Sequence, residues 1–540
     1  MSRVILIGID GATPQLLYPW IKDGKLPNFQ KMKQNGSWGK LKSTIPPFSA
    51  PAWTSIITGC NPGKHGVYGF ESTGTINSHL INSRYRKKPA IWNYLTKIGL
   101  KSIVINVPGT YPPEKIDGVM ITGLLTPSYE SNFIYPNNLK DRLNSNDLGE
   151  YELEQFWVED FSRSKMKKRN PQKLLDNINK QMESRAVVGI NLMKQYKWDF
   201  SMIVFRGTDT AQHFLFDHED LLLSCYQKVD ELLGRMMKNF PNDIFIIVSD
   251  HGFERIERIF YPDNVLYNNG FLTPIYDPFN DSKSRFDLIF NRLYNMILTL
   301  LPNKFLKQSR LIRKLLLSGS SKSKLINFSQ TQAFSTADGR GIQICLNGNI
   351  SKDNIDFKEY DNIIKDIVRL FRCLIDPDDK KNIITDIYRW DEAYGKSALS
   401  PPDLVFSLKK GITAAEWIRF PGSIKEISES KERNIKYIFN KDTIGRSGDH
   451  SQYGVFFAYG NNIKSNFEIK NISVEDILPL VFSNLGFSLP NGIDGTLKEE
   501  LFLKNPIINL KDWDNDFKKR DMLTKSEIDK ISKIKDMFKK

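Results

Sequence analysis

The chain has 540 residues, 40% of them hydrophobic and 12% aromatic, which fits a globular protein too long for one ordinary core and predicts a large α/β domain with insertions or a second unit. Its 76 basic and 62 acidic residues leave a net charge of +14, which points at face value to acidic substrates, nucleic acid or an anionic surface. More than half of that excess is local: no acid lies between Asp287 and Asp338, where Arg292, Lys304, Lys307, Arg310, Arg313, Lys314, Lys322 and Lys324 supply +8. No stretch reaches the ~20 apolar residues of a membrane span. The sequence enters a strand almost at once, without the apolar stretch and cleavage site of a signal peptide. Four scattered cysteines, Cys60, Cys225, Cys345 and Cys373, have neither disulfide nor thiolate-zinc spacing. A cytoplasmic location is expected.

Residues 3–9 read as a first strand and 14–21 as the helix behind it. The stretch from Ser43 to Phe70 is dense in Pro, Gly and hydroxyl residues, with a short helix from Pro51 to Gly59, since Pro51 suits a first helical turn. Residues 101–107 read as another strand, closed by Pro108-Gly109. The polar and aromatic segment 110–170 has no clean period and is expected to cover the site. Residues 171–197 read as a helix, 200–206 and 243–249 as strands, and 219–239 as a helix between them; this alternation implies right-handed parallel crossovers.

From about 270 to 330 the pattern changes to aliphatic and basic stretches such as Leu288-Ile289-Phe290 and Leu315-Leu316-Leu317. Helices of a lid over the site are the preferred reading, because most amphipathic helices bury their apolar stripe. Weak contact of 288–325 with a membrane surface or lipid is the alternative. Ala333-Phe334-Ser335, the run Gly341 to Leu346 and Leu404-Val405-Phe406 read as short strands of a smaller mixed unit. The chain then returns to the main sheet from Gly454 to Gly460. There is no internal repeat and no nucleic-acid-binding motif. The division predicted is a main α/β core over 1–269, an inserted helical lid and small mixed subdomain over 270–440, a return to the core over 441–505, and a charged helix or tail over 506–540.

Three apolar runs end in acids: Val4 to Ile9 at Asp10, Met202 to Phe205 leading to Asp209, and Ile244 to Val248 leading to Asp250-His251. Buried parallel strands read as continuous apolar runs, and open α/β sheets build sites at the carboxyl ends of such strands. Of only six histidines, three stand out. His251 follows Asp250, His213 lies one helical turn from Asp209 and can chelate with it, and His450 closes a Gly-rich loop at Gly448-Asp449-His450. Nitrogen and oxygen donors of this kind suit zinc, with manganese or iron as alternatives. Two ions about 4 Å apart clamp the attacking and leaving oxygens of an in-line phosphoryl displacement. Ser49 is the best candidate nucleophile, fixed by Pro46-Pro47-Phe48-Ser49-Ala50-Pro51 just before a helix start, where orphan N–H groups favour phosphate. Thr54 and Ser55 are its rivals, although such hydroxyls often cap helices. His65 is expected to order the loop after this helix, Lys64 to be solvated, and Arg206 or Asn61 to approach a phosphoryl oxygen.

The ordered set Gly8-Ile9-Asp10-Gly11, Pro51-Ala52-Trp53-Thr54-Ser55 with Thr58-Gly59, Asn61-Pro62-Gly63-Lys64-His65-Gly66, Asp209 to His213, Ser249-Asp250-His251-Gly252 and Gly448-Asp449-His450 resembles the alkaline phosphatase superfamily. It is most similar to the type I phosphodiesterase and nucleotide pyrophosphatase branch. The segments Pro401-Pro402-Asp403-Leu404 and Asp476-Ile477-Leu478-Pro479 through Asp494-Gly495 resemble its microbial phosphohydrolase or phosphomutase members.

The resemblance implies a mostly parallel central sheet flanked by helices, with a smaller mixed α+β insertion. It implies two divalent ions, zinc first and manganese second, held by Asp10, Ser49, Asp250 and His251 on one side and by Asp209, His213 and His450 on the other. Many relatives carry Thr where this chain has Ser49. Sulfatases of the superfamily place Arg where this chain has Trp53, and phosphoglycerate mutases insert a domain soon after the nucleophile, so both activities are disfavoured. The expected activity is hydrolysis of a phosphoric ester, in the manner of a phosphodiesterase or nucleotide pyrophosphatase, through a covalent Ser49 intermediate. Phosphomonoesterase, phosphotransferase or phosphomutase chemistry is the alternative, and a non-catalytic binding protein is disfavoured by the complete ligand set.

Overall fold

The computed structural model describes residues 3–74, 78–145, 147–153, 170–275, 326–346, 348, 350, 356–396, 398–415, 439–440, 446–504 and 510–511. The basic stretch 288–325, with its lid and membrane readings, lies outside the described residues, as does the segment 506–540 apart from Leu510–Lys511.

In chain order the first strands are β1 (Val4–Ile9), β2 (Ser37–Lys42), β3 (Ser102–Val107), β4 (Gly118–Thr122), β5 (Ile134–Tyr135), β6 (Phe200–Phe205) and β7 (Ile244–Val248). The short strands β8 (Gly252–Arg255), β9 (Arg258–Phe260), β10 (Ala333–Ser335), β11 (Gly341–Ile344), β12 (Ile384–Arg389), β13 (Leu404–Leu408), β14 (Ile412–Ala414), β15 (Phe439–Asn440) and β16 (Gly448–Ser451) follow. The chain then adds β17 (Tyr453–Tyr459) and β18 (Phe467–Ser473). A nine-stranded sheet has the order β18-β2-β17-β7-β1-β6-β3-β4-β5. Its centre, from β7 to β4, is parallel, whereas β17 runs antiparallel to both β7 and β2.

The all-apolar sequence of β1 demands cover on both faces, because side chains alternate across a strand. Ile5, Ile7 and Ile9 join one hydrophobic cluster with the helices Pro14–Lys22, Pro171–Gln195 and Glu219–Asn239. Val4 and Leu6 join a second with the helices Ser49–Thr58 and Ile477–Leu485. Register then places the chemistry: Ile9 lies opposite Phe205 and Gly8 opposite Val248. Asp10, Arg206 and Ser249-Asp250-His251 therefore leave the sheet together at the carboxyl ends of its central strands.

Some elements depart from the sequence reading. Segment 110–170, expected to be irregular cover, supplies β4 and β5, which close one edge of the sheet; such short apolar runs have too little length to declare a period. Strand β2 alternates buried and exposed positions, with Lys40 and Lys42 outward, and β18 is similarly mixed.

The smaller unit is a four-stranded antiparallel sheet, β10-β11-β13-β12, with the helix Phe357–Arg372 packed on it through Ile363, Ile364, Ile367 and Phe371. Asp403 braces it from inside, accepting from Gln343 Nε2 at 2.6 Å, the Ile344 N–H at 2.7 Å and the Tyr360 hydroxyl at 2.6 Å. Asp476 similarly accepts from the Ser473 and Thr496 N–H groups. The late motifs thus contribute acids that hold the fold together.

The helix Ser49–Thr58 is anchored from two sides. Gly8 gives it room: a Cβ there would stand 2.4 Å from the Trp53 ring and 2.9 Å from Val204. At its far end, fully buried His65 accepts the Val67 N–H on Nδ1 at 3.1 Å, so Nε2 donates to Ser55 Oγ at 3.0 Å. Burial, then the nearby Arg86 charge, push His65 down to about 3 from an ordinary 6.5. Asn61 caps the short turn Pro62–His65 and donates its N–H to Asp494, which also pairs with Lys64 at 2.6 Å. His65, Lys64 and Asn61 are thus structural.

Gly8→Ala is expected to destabilise the protein by about 1–3 kcal/mol through overpacking, measured by urea unfolding; an unchanged midpoint would contradict the close packing of Trp53. Below pH 6.5 the unfolded chain binds a proton at His65 that the native state refuses until about pH 3, so stability falls as pH drops through that window. His65→Asn keeps a donor and an acceptor but cannot titrate. Urea melts are expected to show the wild type losing stability relative to this variant below pH 6.5, and a pH-independent difference would contradict the buried neutral imidazole.

Candidate metal centre

Asp10 is fully buried, and its backbone is locked to the neighbouring strand end. Its N–H donates to Phe205 O at 2.9 Å, and its carbonyl accepts the Thr208 hydroxyl at 2.6 Å. Its Oδ2 accepts from Trp53 Nε1 at 3.1 Å and from Arg206 Nε at 3.0 Å. The other oxygen, Oδ1, faces Ser49 Oγ at 3.3 Å and His251 Nε2 at 3.6 Å. Ser49 is the first residue of its helix, with Phe48 as N-cap, and its Oγ is also 3.1 Å from His251 Nε2. Asp250 Oδ1 accepts the Gly11 N–H at 3.1 Å. Gly11 makes that turn at φ +71°, where a Cβ would also press on the Phe253 ring at 2.9 Å.

On the helix Gly207–Leu215, Asp209 and His213 share a face, with His213 Nε2 3.6 Å from Asp209 Oδ1. His450 reaches the same oxygen at 3.3 Å and stands 3.2 Å, Nε2 to Nε2, from His213. It does so from strand β16 rather than from the Gly-rich loop expected, because β16 pairs antiparallel with β8 and sets His450 opposite Phe253. The Phe253 ring packs edge-on against both imidazoles, and His450 stacks on His251 with centroids 3.9 Å apart.

The rings are oriented by backbone carbonyls. His251 Nδ1 is 3.0 Å from Gly252 O, and His213 Nδ1 is 3.1 Å from Gly448 O. A carbonyl can only accept, so hydrogen sits on each Nδ1 and each Nε2 presents a lone pair. Those lone pairs point at carboxylate oxygens. Asp209 Oδ1 and Asp250 Oδ2 are buried without a hydrogen bond, although Asp250 Oδ2 is 3.2 Å from His251 Nε2. Acceptor facing acceptor in a buried site is unfavourable unless a cation lies among them.

Electrostatics agree with that requirement. Burial, then Asp209, raise Asp10, and burial, then Asp10, raise Asp250 well above the usual carboxylate range. Burial would also raise Asp209, but positive charge on the facing His213 and His450 whenever they are protonated, and on Arg206, holds it well below that range. Burial lowers all three histidines, His251 to about 4 with help from His450, so the rings are neutral and ready to coordinate. Donor atoms within 4.8 Å of one another group as Asp10, Asp250 and His251; as Asp209, His251 and His450; and as His213, Asp449 and His450. The buried orphan oxygens and neutral imidazoles fit divalent cations of the zinc or manganese kind.

Asp10, Ser49, Asp209, His213, Asp250, His251 and His450 are thus brought together at the carboxyl ends of the central strands. The rival hydroxyls are spent elsewhere: Thr54 Oγ1 donates to Ala50 O at 2.7 Å, and Ser55 is bonded to His65. Sequence reasoning missed two features. Arg206, expected near a phosphoryl oxygen, spans Asp10 and Asp209. Arg340 of the smaller unit pairs with Asp449 at 2.8 Å, and Thr413 also donates to that carboxylate. The only signal for the former was its place at a strand end, and for the latter there was none.

None of the curated proteins matches the chain. The family model for type I phosphodiesterase / nucleotide pyrophosphatase matches residues 4–309, more than half of the chain. That span holds six of the seven residues just named, all but His450. With a mostly parallel sheet and Asp/His clusters at its strand ends, the chain belongs to the type I phosphodiesterase / nucleotide pyrophosphatase family of the alkaline phosphatase superfamily and is a metal-dependent phosphoric ester hydrolase.

Proposed function

We propose that the protein hydrolyses phosphodiester or nucleotide pyrophosphate bonds through Ser49. Asp10, Ser49, Asp250 and His251 would hold one divalent ion, and Asp209, His213 and His450 a second, zinc being the first choice and manganese the second. When bound, such ions neutralise charge on the transferring phosphoryl group and lower the pKa of nearby oxygen nucleophiles. The observation that carries this reading is the position of Ser49 Oγ, 3.3 Å from Asp10 Oδ1 and 3.1 Å from His251 Nε2, at the start of a ten-residue helix.

Ser49 Oγ attacks phosphorus, a P–O bond to the serine forms, and the bond to the leaving oxygen breaks. The Ser49 hydroxyl proton passes to the departing alcohol or phosphate, and water then displaces Ser49, one of its protons returning to Oγ as product leaves. The helix start directs backbone N–H dipoles toward the substrate's anionic oxygens. Trp53 holds Asp10 from behind, and Phe253 packs edge-on against the His213 and His450 rings.

Ser49→Ala is expected to lower kcat by at least about 10³-fold while the folded variant still binds metal. Full turnover would overturn the nucleophile assignment. Bis-p-nitrophenyl phosphate is expected to be cleaved faster than p-nitrophenyl phosphate with zinc or manganese; the reverse order would favour a monoesterase. Because the Asp and His donors coordinate only when unprotonated, activity is expected to fall on the acid side and on chelation. Activity unaffected by an exhaustive chelator would contradict the metal role.

A further inference from the structure

We propose that Arg206 is a positioning residue that commits Asp10 and Asp209 to present one oxygen each to the two metal sites, and that it is not a ligand for substrate phosphate. The inference rests on the reading of those two acids as metal ligands. Arg206 is buried at the junction of β6 and the helix Gly207–Leu215, with a side chain only 10% exposed. Its Nε donates to Asp10 Oδ2 and its Nη2 to Asp209 Oδ2, each at 3.0 Å. One planar fork thus engages an acid from each proposed site, on the oxygen turned away from the donors.

The oxygens left over are the ones that meet the other donors. Asp10 Oδ1 faces Ser49 and His251, and Asp209 Oδ1 faces His213 and His450 without a hydrogen bond of its own. A carboxylate held by one oxygen binds a cation through the other, so the fork favours monodentate coordination at both sites. Trp53 reinforces this on Asp10 by donating to the same Oδ2. The guanidinium also balances part of the charge of three buried acids, which would otherwise repel one another across the site. Lysine cannot replace it, since an ammonium is a point donor that lacks the rigid fork.

The test uses the full-length protein, its Arg206→Gln and Arg206→Lys variants, and three readouts: zinc affinity by competition with a chromophoric chelator, the visible spectrum of the cobalt(II) form, and inhibition by inorganic phosphate at saturating metal. Both variants are expected to bind zinc about 10–100-fold more weakly, as loss of an outer hydrogen-bond partner typically costs. Their cobalt absorption should weaken as second carboxylate oxygens enter the coordination sphere, while phosphate inhibition stays unchanged. Wild-type zinc affinity and cobalt spectrum together with weakened phosphate inhibition in either variant would overturn the proposal and make Arg206 a phosphate ligand. Failure of the wild type itself to bind zinc or cobalt would instead overturn the metal reading on which the proposal stands.

Discussion

Three buried carboxylates at the carboxyl ends of the central strands are the constraint from which the rest of the site follows. The register of β1 between β6 and β7 sets Asp10 beside the ends of both neighbours, and Asp209 and Asp250 lie just beyond those ends. Burying like charges together is costly, and a single guanidinium cannot balance three of them. The fold tolerates the arrangement by giving Asp10 and Asp209 one satisfied oxygen through Arg206 and Asp250 one through the Gly11 N–H. The opposite oxygens are left to neutral imidazoles whose lone pairs already face inward. A divalent cation removes the remaining conflict, and the hydrolase chemistry of the family uses that charge on phosphorus.

The site is also tied to distant parts of the chain. Trp53 fills the space left by Gly8 and holds both Asp10 and the helix that begins at Ser49, so a packing residue of the second core sets the distance between an acid and a hydroxyl. The smaller unit reaches in through Arg340, and Thr413 of β14, a strand paired with β9, joins it on Asp449 beside His450. The Arg340 guanidinium also lies 5.4 Å from the Phe48 ring, just before Ser49. Arg340 thereby touches both the β16 strand and the residue before the helix at Ser49.

Much of this was legible in the sequence because parallel-sheet physics is local in its signals. An apolar run ending in an acid declares both a buried strand and a strand-end functional group, and this identified Asp10, Asp209, Asp250 and His251. Helical spacing added His213. His450 was legible as a residue but not as part of a strand, since four residues pairing with a partner far away in sequence carry no period of their own. Strands β2, β4, β5 and β18, toward the two margins of the sheet, were lost for the same reason: β4 and β5 are short, β2 and β18 are partly exposed, and their pairing depends on the sheet they complete. Arg206, Trp53 and Arg340 act through contacts between remote segments, which composition and spacing do not encode. Asp403, Asp476 and Asp494 show the converse, motif acids whose contacts hold the fold together.

The proposed function requires that the carboxylates and imidazoles form two adjacent cation sites around Ser49. Its most direct test is anomalous diffraction at the zinc edge from crystals of zinc-loaded protein. Two strong peaks are expected, one bounded by Asp10, Ser49, Asp250 and His251 and the other by Asp209, His213 and His450, about 4 Å apart as in other two-metal centres. Absence of anomalous signal among these residues at saturating zinc, or a single peak elsewhere in the molecule, would contradict the account.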